Sequence, residues 1–350
     1  MKSLPDFRFS LGPWCLDVGR DSFGPPVREE YSLEEVLRTC SELGYDGIEL
    51  HDDDVVPDLN QLSHSEINKK ATEVRKQIEH YGLNTVFIAP RLWEDEHTID
   101  GAVTSNNPGD RQYALDRSKK AIDIANILGT INIVFFFGRE GTYIREAKES
   151  KRALTLIIAY LNQLLEYDKN IKILGETKPN EPMDLTFCPT AGHFIGISYK
   201  TEDPSRVGVC IESAHCIMIG LDPADEFGYA LWHNKLWGVH LDDQNGQKYN
   251  QHRTFGAINL RQAFNQVMVL ASNGYGLNGE FVGIETRSLR TQSKQKAKVH
   301  LKNSKQLFLR LVDISRDINT ESIKELRDNR DYESLEMYIL DKLVGLDYQG

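Results

Sequence analysis

The sequence predicts a (β/α)8 TIM barrel followed by a short helical extension. Short apolar runs typical of buried strands alternate with amphipathic helical stretches, and eight such pairs follow one another along the chain. A doubly wound open sheet is the alternative. The turn after the first strand, Gly12-Pro13-Trp14, is not the glycine-rich phosphate loop which that fold would need. We therefore expect one barrel domain over residues 1–312 and a helical extension over residues 313–350.

Each predicted strand is a short apolar run that ends at a turn or at a cluster of polar residues. The strands are expected at residues 7–11, 47–50, 85–88, 131–137, 171–174, 207–211, 236–241 and 281–284. The first helix begins at Ser32, where Glu35 three residues later completes a capping box. The helices are expected at residues 32–44, 65–81, 108–128, much of 145–167, 189–197, 223–232, 259–271 and 295–311.

Composition and charge exclude several classes of partner. The formal net charge of -11 argues against nucleic acid, because phosphate binding needs a basic face. No apolar run approaches the roughly 20 residues of a membrane span, and the first residues lack the apolar core of a secretory signal. The five cysteines are scattered and form no C-x-x-C pair, which disfavours a disulfide framework or a zinc ribbon. We therefore expect a cytoplasmic protein with reduced thiols.

The stretch from residue 175 to residue 182 is the centre of the predicted site. It follows the strand at 171–174, and in a strand Glu176 and Lys178 lie on one face. A carboxylate and an amine would thus emerge together at the carboxyl end of a parallel strand, where barrels bind their ligands. The alternative is a surface loop with an ordinary ion pair.

Polar residues at the other strand ends extend this site to one rim of the barrel. They are His51, Asp54, Arg139, Glu212, His215, His240, Asp242 and Glu285. Carboxylates that converge in one place repel one another unless a cation joins them. We therefore expect Glu176, Glu212, His240 and Glu285 to bind one divalent metal, unless each forms a rim ion pair instead. Mixed oxygen and nitrogen ligation favours Mn²⁺, with Mg²⁺, Co²⁺ or Zn²⁺ as alternatives.

The acidic segment after the second strand adds a possible proton-transfer pair. A His-Asp-Asp-Asp run is most often a solvated loop. Its position after a strand favours a functional interpretation, in which Asp54 orients the imidazole of His51.

Several motifs in the same order resemble the short, actinobacterial-type class of xylose isomerases along nearly the whole chain. They are Gly19-Arg20-Asp21-Ser22-Phe23-Gly24, His51-Asp52-Asp53-Asp54-Val55-Val56-Pro57, Gly138-Arg139-Glu140-Gly141, Glu176-Thr177-Lys178-Pro179-Asn180-Glu181-Pro182 and Gln244-Asn245-Gly246-Gln247-Lys248-Tyr249.

By this resemblance the chain is a TIM barrel with a sugar pocket. His51 with Asp54 would be the ring-opening pair, and Lys178 would contact the substrate oxygen. Glu176 and Glu212 would bind metal, with His215 on a second metal. We expect the aromatic residues Trp14, Phe23, Trp93 and Phe136 to form the apolar walls of the pocket or its entrance, because sugars stack their C–H faces on aromatic rings. The further residues expected to bind substrate are Arg139, His215, Asn250 and His252.

The departures from the family fall on the second metal site. Asn250 and His252 stand where the family has two aspartates that bind the second metal. His240 and Glu285 each stand where the family has a further aspartate, and Phe136 replaces a pocket tryptophan. The long C-terminal arm of the family is also much shortened. Losing two carboxylates weakens a second site for a hard dication. Xylose isomerase uses two metals for a hydride shift, whereas proton abstraction beside a carbonyl needs only one.

The remaining ligand set resembles the Glu/Asp/His/Glu single-metal site of ketose epimerases. Within this superfamily, the α subunit of bacterial C-glycoside deglycosidases combines one metal with a barrel that lacks the long arm. That resemblance implies a lyase acting on 3-oxo-glucosides, together with a small β subunit. The alternatives are an aldose–ketose isomerase or epimerase acting on free sugars, and a catalytically idle sugar-binding subunit. Lys178 is the expected general base, with His51 as the competing candidate.

Overall fold

Eight parallel strands close into a barrel in a computed structural model that describes residues 6–346. The strands β1 to β8 are Arg8–Leu11, Gly47–His51, Asn84–Ala89, Asn132–Phe136, Lys172–Glu176, Val207–Glu212, Leu236–Leu241 and Phe281–Ile284. Each strand pairs with its neighbours in chain order, and β8 closes the barrel by pairing with β1. The pairing aligns Phe136 with Glu176 and Glu212 with His240, so polar side chains from different strands meet at one end of the barrel.

A helix follows each strand, as the predicted alternation requires. The helices α1 to α8 are Leu33–Glu42, His64–His80, Pro108–Leu128, Ser150–Tyr167, Ala191–Ser198, Pro223–Trp232, Leu260–Ser272 and Val299–Arg316. Ser32 with Glu35, and Ser63 with Glu66, form capping boxes that begin α1 and α2. The fold class predicted from the sequence is therefore confirmed.

The apolar core divides into two unequal parts. A large cluster fills the space between the strands and the surrounding helices, with fully buried rings such as Phe194, Phe227 and Phe308. A smaller cluster inside the barrel includes Phe87 and Leu174 and lies below the polar end. All five cysteines are free and buried. No helix within residues 6–346 is long and apolar enough to cross a membrane.

The structure differs from the prediction where tertiary contacts set the boundaries. Helix α8 begins at Val299 rather than residue 295 and runs on to Arg316, so the predicted boundary at residue 312 falls inside it. Two further helices, α9 (Thr320–Asp328) and α10 (Tyr332–Val344), form the C-terminal extension. The sequence did not predict the short helices Asp52–Val55 and Ser213–Ile217, which turn directly after β2 and β6.

Candidate active site

A cavity of about 440 Å³ opens at the carboxyl ends of the strands. It brings together most of the side chains that the sequence predicted for the site. Those that line it are Trp14, His51, Trp93, Phe136, Glu176, Lys178, Glu212, His215, His240, Asn250, His252 and Glu285. The other lining residues were not predicted, and they are Phe87, Ala89, Arg91, Glu94, Glu181, Pro182 and Arg287.

Two carboxylates, those of Glu176 and Glu285, face one imidazole nitrogen at the floor of the cavity. His240 Nδ1 lies 3.8 Å from an oxygen of Glu176 and 3.8 Å from an oxygen of Glu285. Glu212 is next to His240 across the β6–β7 pair. Distances of this size are too long for hydrogen bonds. They suit atoms that each bind a shared ion at about 2.1 Å.

The ionisation of these groups shows how strongly the cluster favours a cation. Burial raises the pKa of Glu212 to about 8, and repulsion from Glu285 and Glu176 contributes to the shift. The pKa of Glu176 rises to about 7, again mainly through burial. Both ring nitrogens of His240 are buried and lack a hydrogen-bond partner among the described residues. The carboxyl groups and the His240 imidazole therefore offer the mixed oxygen and nitrogen donors that a divalent cation can bind.

A second group of ionisable side chains shares Glu212 with the first. His215 Nε2 lies 3.1 Å from Glu212 Oε2, while the Asn250 amide donates to Glu212 Oε1. His252 Nδ1 lies 3.3 Å from Asp242 Oδ2, a carboxylate that the sequence analysis placed on the rim but not among the ligands. Burial lowers the pKa of His215 and His252 well below the ordinary value, so both imidazoles are neutral. This group therefore offers fewer anionic oxygens than the first.

His51 is held in a tight polar network at the cavity wall. Its Nδ1 lies 3.0 Å from Asp54 Oδ2, and the same oxygen accepts the His51 backbone N–H at 2.8 Å. Burial raises the pKa of Asp54, but the charge of His51 and its hydrogen bond outweigh burial, and the pKa is lowered overall. Arg91 was not predicted, and its guanidinium lies 2.8 Å from His51 Nδ1. Asp54 itself does not line the cavity but stands behind His51.

The rest of the acidic segment after β2 is structural. Asp52 is fully buried and accepts two hydrogen bonds from Arg117, at 2.7 and 2.8 Å. Asp53 bridges Arg91 and Arg117 at 2.8 and 3.0 Å. The segment therefore anchors the loop and leaves only His51 facing the cavity.

Lys178 reaches the cavity beside the carboxylate cluster. Its Nζ forms a 2.8 Å ion pair with Glu181 and lies 5.8 Å from the centre of the Phe136 ring. Glu181 has a positive φ of 63°, and its carboxylate also accepts the backbone N–H of Asn250 at 3.1 Å. The loop after β5 thus folds back so that Lys178 points towards the ligand cluster.

Aromatic rings form one wall of the cavity. The His51 ring lies between Trp14 and Trp93, with centroid distances of 4.4 and 5.2 Å, and Phe136 meets Trp93 edge-on at 5.3 Å. A Cβ on Gly12 would lie 2.2 Å from the Trp14 ring, so glycine is needed for this close approach. The wall offers the flat apolar surface that a sugar or an aglycone can stack on.

Two predicted pocket residues lie outside the cavity, and the prediction is corrected for both. Phe23 is 100% exposed, because a tight turn between Asp21 and Gly24 directs it into solvent. The Arg139 guanidinium donates to the backbone carbonyl of Trp93 at 2.5 Å, so it supports the aromatic wall from behind.

The closed barrel and the carboxylate–imidazole cluster define a class of TIM barrel with a polar site at the strand ends. Residues 37–304 match the family described as xylose isomerase-like TIM barrel, and the chain belongs to this family. The xylose isomerase of Thermus thermophilus is 31% identical over 296 residues, covering 83% of this chain and 75% of that protein.

Two solved structures show the same fold at lower identity. The 3-keto-D-glucoside 4-epimerase from E. coli superposes with a TM-score of 0.62 at 14% identity, covering 86% of this chain and 100% of that one. The IolI protein with a bound zinc atom superposes with a TM-score of 0.60 at 14% identity. The match covers 87% of this chain and 98% of that one. Two of these proteins are thus named as sugar-modifying enzymes, and the third is a structural neighbour that holds a zinc atom.

Proposed function

We propose that this protein is a metal-dependent lyase that breaks the bond between a 3-oxo-glucoside and its aglycone. The supporting observation is the contrast between the two groups of side chains in the cavity. Glu176, Glu212, Glu285 and His240 line one cavity, and we assign them to one divalent cation, Mn²⁺ by preference, whereas the neighbouring group has the neutral side chains of Asn250 and His252. One cation is enough for proton abstraction next to a carbonyl.

The reaction begins at the carbon next to the oxidised position. The 3-oxo group makes the C2 proton acidic, and a base of the protein removes it. When bound, the cation supplies Lewis-acid stabilisation of negative charge on the sugar oxygens. The electron pair then forms the C1=C2 bond while the bond from C1 to the aglycone breaks, and the aglycone takes up a proton. Sugar and aglycone leave as separate products.

Two side chains that line the cavity, Lys178 and His51, are our candidates for the base that removes the C2 proton. Lys178 stands beside the ligand cluster, and its amine must be neutral and free of the 2.8 Å contact with Glu181 before it can accept a proton. His51 faces the cavity between two tryptophans, but its Nδ1 is shared by Asp54 and Arg91. Lys178 is our preferred base because it adjoins Glu176, whereas His51 stands among the aromatic side chains.

A second candidate is an aldose–ketose isomerase or epimerase acting on free sugars. The 31% identity to a xylose isomerase favours it, and it uses the same cavity. The third possibility, an idle sugar-binding subunit, is disfavoured because Lys178, His51 and the ligand cluster all face the cavity. For the lyase we further propose a cytoplasmic location and a small β subunit as partner, on the resemblance to C-glycoside deglycosidases alone.

The proposal is tested by comparing two reactions of the Mn²⁺-loaded protein. One assay follows free aglycone released from a 3-oxo-C-glucoside of a plant polyphenol, with and without a co-expressed β subunit. The other follows interconversion of D-xylose and D-xylulose. We expect aglycone release and little xylose turnover. Efficient isomerisation without aglycone release would establish the second candidate in its place.

A further inference from the structure

A buried carboxylate, Glu49, lies beneath the ligand cluster and takes part in none of the functions assigned above. It is on β2, is 2% exposed, and shares a strand face with His51. Its Oε1 accepts a 2.7 Å hydrogen bond from the hydroxyl of Ser10. Its Oε2 lies 3.3 Å from Nε2 of His240 and makes no hydrogen bond within the part of the chain that the structure describes. A buried carboxylate oxygen facing an imidazole needs an explanation.

The barrel is built to leave room for this pair. Strand pairing places Ser10 beside Gly283, and Gly283 beside His240. A Cβ on Gly283 would lie 2.6 Å from His240 Cδ2 and 2.7 Å from Glu49 Oε1. Only glycine at this position lets the carboxylate and the imidazole meet across β8, so the contact is part of the strand architecture.

The two nitrogens of His240 face different surroundings. Nε2 faces Glu49 inside the barrel, whereas Nδ1 faces the cavity and the oxygens of Glu176 and Glu285. The Glu49 carboxylate is the acceptor that faces Nε2, at 3.3 Å. With its proton on Nε2 towards Glu49, the imidazole directs the Nδ1 lone pair into the cavity.

We propose that Glu49, held by Ser10, is a positioning residue that fixes His240 as an Nδ1 ligand for the cation in the cavity. A ligating histidine is oriented by the acceptor on its other nitrogen, which also raises its basicity. The inference rests on the proposed role of His240 as a metal ligand.

Metal binding by single variants tests this role without any substrate. Mn²⁺ alone is titrated calorimetrically into the metal-stripped protein. We expect Glu49→Gln and Glu49→Leu to weaken Mn²⁺ binding by about 10- to 100-fold, and Ser10→Ala to weaken it less. Glu226→Gln is the matched control, because Glu226 is a partly buried carboxylate on α6 with an orphaned oxygen, away from the cavity. It should bind Mn²⁺ as the wild type does.

A spectroscopic measurement separates positioning from a general structural role. In Zn²⁺-loaded protein labelled with ¹⁵N-histidine, we expect the wild type to show His240 with a metal-bound Nδ1 and a protonated Nε2. Glu49→Gln should lose or broaden that pattern while its thermal midpoint stays near that of Glu226→Gln. Wild-type metal affinity in Glu49→Gln, or ligation through Nε2, would overturn the inference alone. A wild-type protein that binds neither metal would instead overturn the proposed function.

Discussion

The indole N–H of Trp14 donates a 2.6 Å hydrogen bond to Oε2 of Glu285. The same oxygen lies 3.8 Å from His240 Nδ1, so an aromatic wall residue orients a candidate metal ligand. Trp14 is thereby placed to couple the sugar-stacking wall to the ligand cluster.

Removing this hydrogen bond should affect both metal and substrate. We expect Trp14→Phe to weaken metal binding by about 10-fold, in the range typical of groups that orient ligands, and to raise KM through lost stacking. Calorimetry and steady-state kinetics measure the two effects separately. Trp232→Phe is the control, because Trp232 is 77% exposed and does not line the cavity. Unchanged metal affinity in Trp14→Phe would show that the hydrogen bond does not orient Glu285.

The number of bound ions follows from the unequal ligand sets. We expect about one Mn²⁺ per chain by elemental analysis after dialysis, and we expect Glu176→Gln to lose it. His215→Asn should keep the ion, because we assign His215 to the second group of side chains, where it lies 3.1 Å from Glu212. Two equivalents bound with equal affinity would contradict this, since they would show that His215, His252 and Asp242 form a full second site.

The pH dependence of stability follows from the raised pKa values of two glutamates. The pKa is about 8 for Glu212 and about 7 for Glu176, against 4.5 for an ordinary glutamate. The lowered pKa values of His215 and His252 act in the opposite sense only below about pH 6.5, the ordinary value for histidine. Between about pH 6.5 and pH 8 the folded metal-free protein therefore holds protons on Glu176 and Glu212 that the unfolded chain has released. Its stability must fall as pH rises through this window.

Calorimetric melting at several pH values measures this effect. We expect the melting temperature of the metal-free protein to fall by several degrees between about pH 6.5 and pH 8. Added Mn²⁺ should reverse the fall, because a cation replaces the protons, and its affinity should rise over the same range. A melting temperature that rises with pH in the metal-free protein would refute the assignment of these buried carboxylates.

The buried pair of Asp52 and Arg117 sets a prediction for stability alone. Replacing Arg117 with methionine leaves the fully buried Asp52 carboxylate without its partner, and we expect a loss of about 3–5 kcal/mol. Arg75→Met is the control, because the Arg75–Glu79 pair is exposed and should contribute less than about 1 kcal/mol. Chemical denaturation measures the free energy of unfolding of both variants. Equal losses in Arg117→Met and Arg75→Met would show that burial of the Asp52–Arg117 pair does not increase its contribution.

Sequence patterns predicted the barrel well because hydrophobic periodicity and caps are local. The predicted bounds of Pro108–Leu128, Pro223–Trp232 and Leu236–Leu241 are those that the structure shows. Helix α8 was placed less well, since its start at Val299 depends on packing that no local pattern records.

The site was predicted where ligands follow strands and missed where contacts cross the barrel. Glu49 could have been found, because a glutamate inside the apolar run 47–50 is conspicuous and lies on the same face as His51. Arg91 gave no such signal, since its contact with His51 spans 40 positions of sequence. Phe23 was assigned by residue type, but a turn determines its direction, and that turn faces solvent.

The role of Lys178 has a separate test in a variant that keeps the cavity shape. We expect Lys178→Met to retain Mn²⁺ and to lose nearly all turnover, because methionine is similar in length but cannot accept a proton. It should also abolish exchange of the substrate C2 hydrogen with solvent deuterium. Robust C2 exchange in Lys178→Met would show that Lys178 is not the base and would favour His51. The variant His51→Gln would then test His51 as the base.

The fate of the substrate C2 hydrogen in the wild-type enzyme tests the central claim most directly. The measurement is ¹H NMR and mass spectrometry of substrate and products after partial turnover of a C2-deuterated 3-oxo-glucoside in water. Proton abstraction by a side chain of the cavity predicts that the label is lost to solvent and that none appears at C1. Transfer of the label from C2 to C1 without loss to solvent would indicate a hydride shift, contradict the lyase mechanism and return the protein to the isomerases.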